Sequence, residues 1–155
     1  MRTIRVQEQD FDVGAEFAGL AGSCAGIGGI GCFLGIVRDA AQSRPISAME
    51  LEHYPAMTEP AIERIAAEAE RRWSLLGCTI IHRFGRLAPG ENIVLVLAAA
   101  AHRQAALEAT AFLIDWLKTR APFWKKEHYT DGEQSWVGAR EEDDIAAAQW
   151  LAEGC

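Results

Sequence analysis

The sequence has no apolar run long enough to cross a bilayer. No basic segment followed by an apolar stretch opens it, so no secretory leader is expected. Cysteine is scarce: Cys24, Cys32, Cys78 and Cys155 form no C-x-x-C and share no zinc-ligand spacing with histidine. Reduced, mostly buried thiols in a cytoplasmic protein are the expectation, and no metal site is expected. Positive charge is in deficit, 15 Lys and Arg against 22 Asp and Glu for a net −7. That balance argues against general nucleic-acid binding, which needs a cationic surface, yet leaves room for a local basic pocket that takes a small anion. Hydrolytic and nucleotide signatures are also missing: there is no G-x-S-x-G elbow, no H-E-x-x-H and no P-loop.

What is present is the material of one soluble domain spanning 1–155. Half of the 155 residues are hydrophobic and 24% are charged, enough to bury a core without staples. Residues 3–7 alternate as a short strand. Residues 10–21 suit a helix capped by Asp10 or Asp12, with Phe11, Phe17 and Leu20 inward. The segment 26–31, Gly-Ile-Gly-Gly-Ile-Gly, fits the letters of G-x-G-x-x-G. It precedes a strand-like run, Cys32–Val37, where a dinucleotide site would need a helix. Its glycines therefore read as a close backbone approach leading into a central strand. A loop is expected over Gln42–Pro45, then a strand over Ser47–Tyr54 paired with the preceding one. A helix follows, capped by Thr58 with Pro60 in its first turn, carrying Ile62, Ile65, Ala66, Ala69, Trp73 and Leu76 inward and stopping at Gly77. Cys78–Leu87 and the apolar Asn92–Ala101 read as an antiparallel hairpin around the turn 88–91, with His82 and Arg83 on the sheet surface. Glu141–Trp150 reads as a helix with a weak face, so 141–155 is expected to be a peripheral tail. The class is α+β.

The stretch His102–Glu127 concentrates the cations. Ala105, Ala109, Phe112, Leu113, Trp116 and Leu117 give its helix one apolar stripe. His102 and Arg103 fall at the helix N-terminus, where free N–H groups favour an anion. Lys118 lies at the other end, where the helix dipole alone would favour a lysine. Pro122 ends the helix, and Phe123-Trp124-Lys125-Lys126-Glu127 follows. Arg38, at the end of its strand, suits either an anion ligand or a surface pair with Asp39. Residue chemistry alone supports an α+β domain with a possible anion site.

The motifs together resemble the large, catalytic subunit of molybdopterin synthase. They are Phe33–Arg38 (FLGIVR), Leu51–Met57 (LEHYPAM), Ile81–Leu87 (IHRFGRL) with Pro89–Glu91, Ala101-His102-Arg103, Asp115–Glu127 (DWLKTRAPFWKKE) and Trp136–Arg140 (WVGAR). They cover roughly residues 2–150 in the family's order. The resemblance implies an α/β-hammerhead type of fold, with a mixed or antiparallel sheet and packed helices. It also implies a homodimer in which each subunit holds a small ubiquitin-like sulfur carrier, giving a heterotetramer. The carrier's C-terminal Gly-Gly thiocarboxylate would supply sulfur to cyclic pyranopterin monophosphate, forming the dithiolene of molybdopterin. By the same resemblance Lys118 and Lys125 are the catalytic pair. Arg38, His102, Arg103, Lys126 and Arg140 belong to the substrate pocket, and no cofactor is required. A carrier-binding scaffold without catalysis, and an oxidoreductase built on the glycine cluster, are the competing readings.

Overall fold

The computed structural model describes residues 1–138 and 141–152. Its centre is strand β7 (Asn92–Ala100), buried along Val94–Ala100 because both of its faces are covered. β7 runs antiparallel to β5 (Gly77–Arg83) on one side and to β2 (Gly29–Ile36) on the other. Strand β1 (Arg2–Gln7) lies parallel to β5 and completes a sheet ordered β1-β5-β7-β2. Side chains alternate across these strands, so the two faces carry different cores. Leu95, Leu97 and Ala99 meet Leu20 of helix α1 (Val13–Ala21). Cys78, Ile80, Val94 and Val96 meet helices α2 (Pro55–Trp73) and α3 (Arg103–Thr119) on the opposite face.

A second sheet is ordered β3 (Ala40–Ala41), β4 (Arg44–His53), β8 (Phe123–Tyr129), β9 (Gln134–Val137), with β6 (Gly85–Leu87) also paired to β4. The expected single strand Cys78–Leu87 is therefore broken. Gly85 takes φ +88, a left-handed conformation suited to glycine, and sends 85–87 into the second sheet. Two further expectations change with it. β4 does not pair with β2 but with β3, β6 and β8, and β2 is an edge of its sheet, not its centre. The loop expected at Gln42–Pro45 is a tight hairpin whose Gln42 and Ser43 both have positive φ, as two-residue hairpins require.

Helix boundaries shift where side chains compete with the cap rules. α2 begins a turn before Thr58, at Pro55, and the Thr58 hydroxyl donates to the Tyr54 carbonyl at 2.7 Å instead of capping. Pro60 therefore lies inside the helix. α2 ends at Ser74, in the left-handed region, which leaves Leu76 and Gly77 outside it. In α1 Asp12 is the cap and accepts from the Ala15 N–H at 2.8 Å, while Phe17 stays 38% exposed rather than inward. Helix α4 (Glu141–Ala152) meets the rest through Trp150. Its ring stands edge-on to Trp73 and Phe112, and its Nε1–H donates to Asp115 at 2.8 Å.

The glycine-rich segment is explained by α3. A Cβ on Gly31 would fall 2.2 Å from Thr110 Oγ1 and 2.4 Å from the Ala106 carbonyl oxygen. One on Gly28 would fall 1.9 Å from the Ala101 carbonyl oxygen. β2 thus lies against the backbone of α3, and a strand occupies the place where a dinucleotide fold needs a helix. Gly31→Ala is expected to lower stability by about 1–3 kcal/mol, read as a reduced denaturant midpoint, because neither the helix backbone nor Thr110 has room to give.

Candidate functional site

α3 stops at Thr119 and the chain turns through Ala121 and Pro122 into β8. This reversal is what brings Lys125 back toward Lys118. Pro122 supplies no N–H to continue the helix, so the turn is fixed by its chemistry. Alternation along β8 then sends Phe123, Lys125 and Glu127 to one face and Trp124 and Lys126 to the other. Lys125 pairs in register with Leu51 of β4 and Val137 of β9, which sets its place along the sheet.

Lys118 and Lys125 line a common cleft of about 240 Å³ together with Arg38, His82 and Glu127. A second, more apolar cleft of about 270 Å³ adjoins it and shares Arg38, His82, Lys118 and Lys125. Its other walls include Phe33, Ile93 and Ile114. Arg38 stands just past β2 and forms no ion pair with Asp39 among the described residues, so the anion-ligand alternative keeps its side chain available. Val37 beside it is anchored: its N–H donates to the Glu91 carbonyl at 2.9 Å, and its own carbonyl accepts from Gly90 at 2.8 Å.

The electrostatics follow from burial and crowding. Burial first, then the neighbouring Lys118 and more weakly Arg38, push the Lys125 ammonium down to about 8, against the opposing pull of Asp143 and Glu127. Glu127 is buried and accepts from the Tyr129 hydroxyl at 2.9 Å. The cleft thus holds two lysines of unlike character. Lys118 is exposed, whereas Lys125 is half-buried with part of its population neutral near physiological pH.

The other sequence-derived candidates lie elsewhere in the subunit. Lys126 is on the outer face of β8, its Nζ 4.5 Å from the centre of the Trp136 ring. His102 is the N-cap of α3 without a side-chain cap bond, and both it and Arg103 are exposed. Arg103 sits 15 residues before Lys118, about 22 Å along the helix, so the two ends of α3 do not meet in one chain. Arg140 lies outside the described residues.

His82 and Arg83 correct the expectation of surface positions: they are 5% and 6% exposed. Arg83 is structural, donating to the carbonyls of Glu8 and Asn92 at 2.9 Å each. His82 is the last position of β5 that faces α3, following Cys78 and Ile80, and so reaches the cleft. The signal for it was topological: β5 pairs directly with the buried β7, and a strand in that place has no wet face.

An α+β domain that gathers two lysines and an arginine in one cleft has the make-up of an enzyme acting on anionic substrates. The chain belongs to a known family: residues 6–120 match the family model described as MoaE protein. It is 59% identical to the molybdopterin synthase catalytic subunit of Mesorhizobium japonicum over 149 residues, covering 96% of this chain and 92% of that one. It is 52% identical to the Rhizobium meliloti protein of the same name, covering 96% and 95%. Among solved structures, the molybdopterin biosynthesis MoaE protein from Burkholderia ambifaria superposes with a TM-score of 0.82 at 52% identity, covering 97% and 99%. The oxidoreductase reading ends here, with both the strand at Gly31 and the family against it.

With its pKa near 8, Lys125 is roughly a quarter neutral at about pH 7.5, against about 0.1% for an ordinary lysine. Lys125 is therefore expected to be acylated ahead of the other lysines by an amine-reactive reagent, with a reactivity midpoint near 8. Lys118→Met, which removes a repelling charge, should move that midpoint upward. Peptide mass spectrometry across a pH series reads both outcomes.

Proposed function

We propose that this chain is the catalytic subunit of molybdopterin synthase, a sulfurtransferase of molybdenum cofactor biosynthesis. Its substrates are the C-terminal Gly-Gly thiocarboxylate of a small ubiquitin-like carrier and cyclic pyranopterin monophosphate, and its product carries the molybdopterin dithiolene. The observation that carries this reading is the convergence of Lys118, Lys125 and Arg38 on one cleft in a chain of this family. Both reactants are anionic, so a cleft lined by cations suits each of them. Arg38 offers a planar fork of donors for the phosphate. Lys118, exposed and charged, neutralises the thiocarboxylate. Lys125, held partly neutral, serves proton transfers as the phosphate ring opens. Sulfur arrives on the carrier, and no cysteine of this chain is needed as a nucleophile; Cys78, buried, has its thiol pushed up to about 12.

His102 and Arg103 are assigned to the same substrate, with Arg140 as a further pocket residue. Because the two ends of α3 lie far apart, His102 and Arg103 serve a cleft only from a second copy of the chain. A homodimer carrying one sulfur carrier per subunit is the assembly this requires, working in the cytoplasm. No helix among the described residues is long and apolar enough to cross a membrane.

Lys118→Ala and Lys125→Ala are each expected to reduce molybdopterin formation at least a hundredfold while carrier binding, measured alongside, is unchanged. Full activity in both variants would reject the catalytic reading, and carrier binding without any pterin turnover in the unsubstituted protein would favour a scaffold. Shared sites make a second expectation: Lys125→Ala and Arg103→Ala subunits, each inactive alone, regain about a quarter of full activity when co-assembled, because half the dimers are mixed and each mixed dimer has one intact site. No recovery would place all the residues of a site in one subunit.

A further inference from the structure

Helix α4 has no part in the chemistry above, yet it reaches the cleft. It opens with the acidic run 141–144, Glu-Glu-Asp-Asp, which the N-terminal end of a helix dipole favours. Asp143, Ala147 and Trp150 are spaced i, i+4 and i+7, so they share one face of the helix. Trp150 docks that face. Its ring stands edge-on to Trp73 and Phe112, with centroids 5.6 Å and 5.7 Å away. Its Nε1–H donates to Asp115 at 2.8 Å, and its carbonyl accepts from Arg72 at 3.1 Å. Ala147 lies with Trp150 along a groove that Ile65 and Phe112 also line. Two turns before Trp150, the same face brings the half-buried Asp143 to the wall of the cleft that holds Lys118, Lys125 and Arg38. Its carboxylate makes no direct ion pair with these cations among the described residues. Its charge still acts across the cleft. Burial and then Lys118 push the Lys125 ammonium down, and of the two acids that oppose this Asp143 acts more strongly than Glu127.

We propose that α4 is an autoinhibitory strap: Asp143 stands at the cation cleft as a built-in anion, and an anionic reactant enters by displacing the first turns of α4 while Trp150 keeps the far end docked. This rests on the reading of the cleft as an anion site. Like charges sharing a partly desolvated cleft change each other's affinity by about five- to thirtyfold. Asp143 stops short of a direct pair, so an arriving phosphate that bonds directly to the Arg38 fork and a lysine outcompetes it. The anchor and the charge are separate on the helix. The first turns can therefore leave without undocking the ring that holds α4 to α2 and α3.

Inorganic phosphate, titrated calorimetrically into the full chain, is the probe. Asp143→Asn is expected to bind it about tenfold more tightly than wild type. Asp144→Asn removes the same charge from the exposed neighbouring position and should change affinity by less than about twofold. Hydrogen exchange reports the movement: in wild type, saturating phosphate should speed amide exchange across 145–149 by about threefold or more and leave β7 unchanged. Equal or weaker binding in Asp143→Asn, or an equal gain in Asp144→Asn, overturns the proposal in favour of an ordinary dipole-paired helix start. Tighter binding in Asp143→Asn without faster exchange across 145–149 in wild type makes Asp143 a fixed screening charge and overturns the strap. No phosphate binding to either chain overturns it as well. Neither readout needs turnover. Failure of the sulfurtransferase reading, seen as full activity in the lysine variants, is thereby distinguishable from failure of the strap.

Discussion

Two ammonium groups and a guanidinium that share one small cleft repel each other, and the fold has to supply the free energy that keeps them together. For Lys125 the size of that demand follows from its depressed pKa, about 8, which corresponds to about 3 kcal/mol against the charged form. The sign matters. A lysine whose folded pKa lies below its unfolded value destabilises the native state at every pH below about 8, and the penalty fades as pH rises toward the ordinary lysine value. The cleft is thus under electrostatic strain below about pH 8, which an anion beside Lys125 would relieve. An anion held beside Lys125 would return it toward its ordinary value, and its binding would then be coupled to proton uptake through this one side chain.

The scaffold that withstands this is built from backbone proximity more than from ion pairs. α3 lies so close on β2 that Gly31 has no room for a Cβ, and its apolar stripe is sealed against Val94 and Val96 of β7. Its far end is therefore a fixed platform for Lys118. Lys125 is carried by a different element, held by the β4 and β9 ladders on either side of β8. The chain between them is only the short turn at Pro122. Two independently anchored elements joined by a short rigid turn give the cleft its geometry without any direct bond between the lysines.

Much of this could be read from the residues in order, and the failures share a cause. The helix Arg103–Thr119, its stop before Pro122 and the strand 92–100 follow from periodicity and composition, which are local properties. The grouping of Lys118 with Lys125 in one cleft did not: alone, Lys118 is an ordinary helix-terminal lysine, and only the combined motifs lift it above that. His82 was misplaced because alternation reports which residues share a face, not whether that face is wet. What covers β5 is decided by α2 and by α3, and α3 is remote in sequence. The break at Gly85 was hidden in the same way, since Cys78–Leu87 is strand-like throughout and the change of sheet depends on one left-handed residue. Thr58 failed for a local reason: a hydroxyl that can cap can equally bond back to the carbonyl four residues earlier, as it does to Tyr54.

The two lysines also show how one fold gives one residue type two different surroundings. Lys118, at an exposed helix end, keeps solvent and the helix dipole as stabilising partners for its charge. Lys125, on the neighbouring strand β8, faces apolar walls and its neighbour's charge. Glu127 and Asp143 oppose the shift without cancelling it, and the carboxylate of Glu127 is already engaged by the Tyr129 hydroxyl. A value near 8 leaves one group able both to hold a negative charge and to release its proton close to neutral pH, the two demands that the proposed role makes of Lys125.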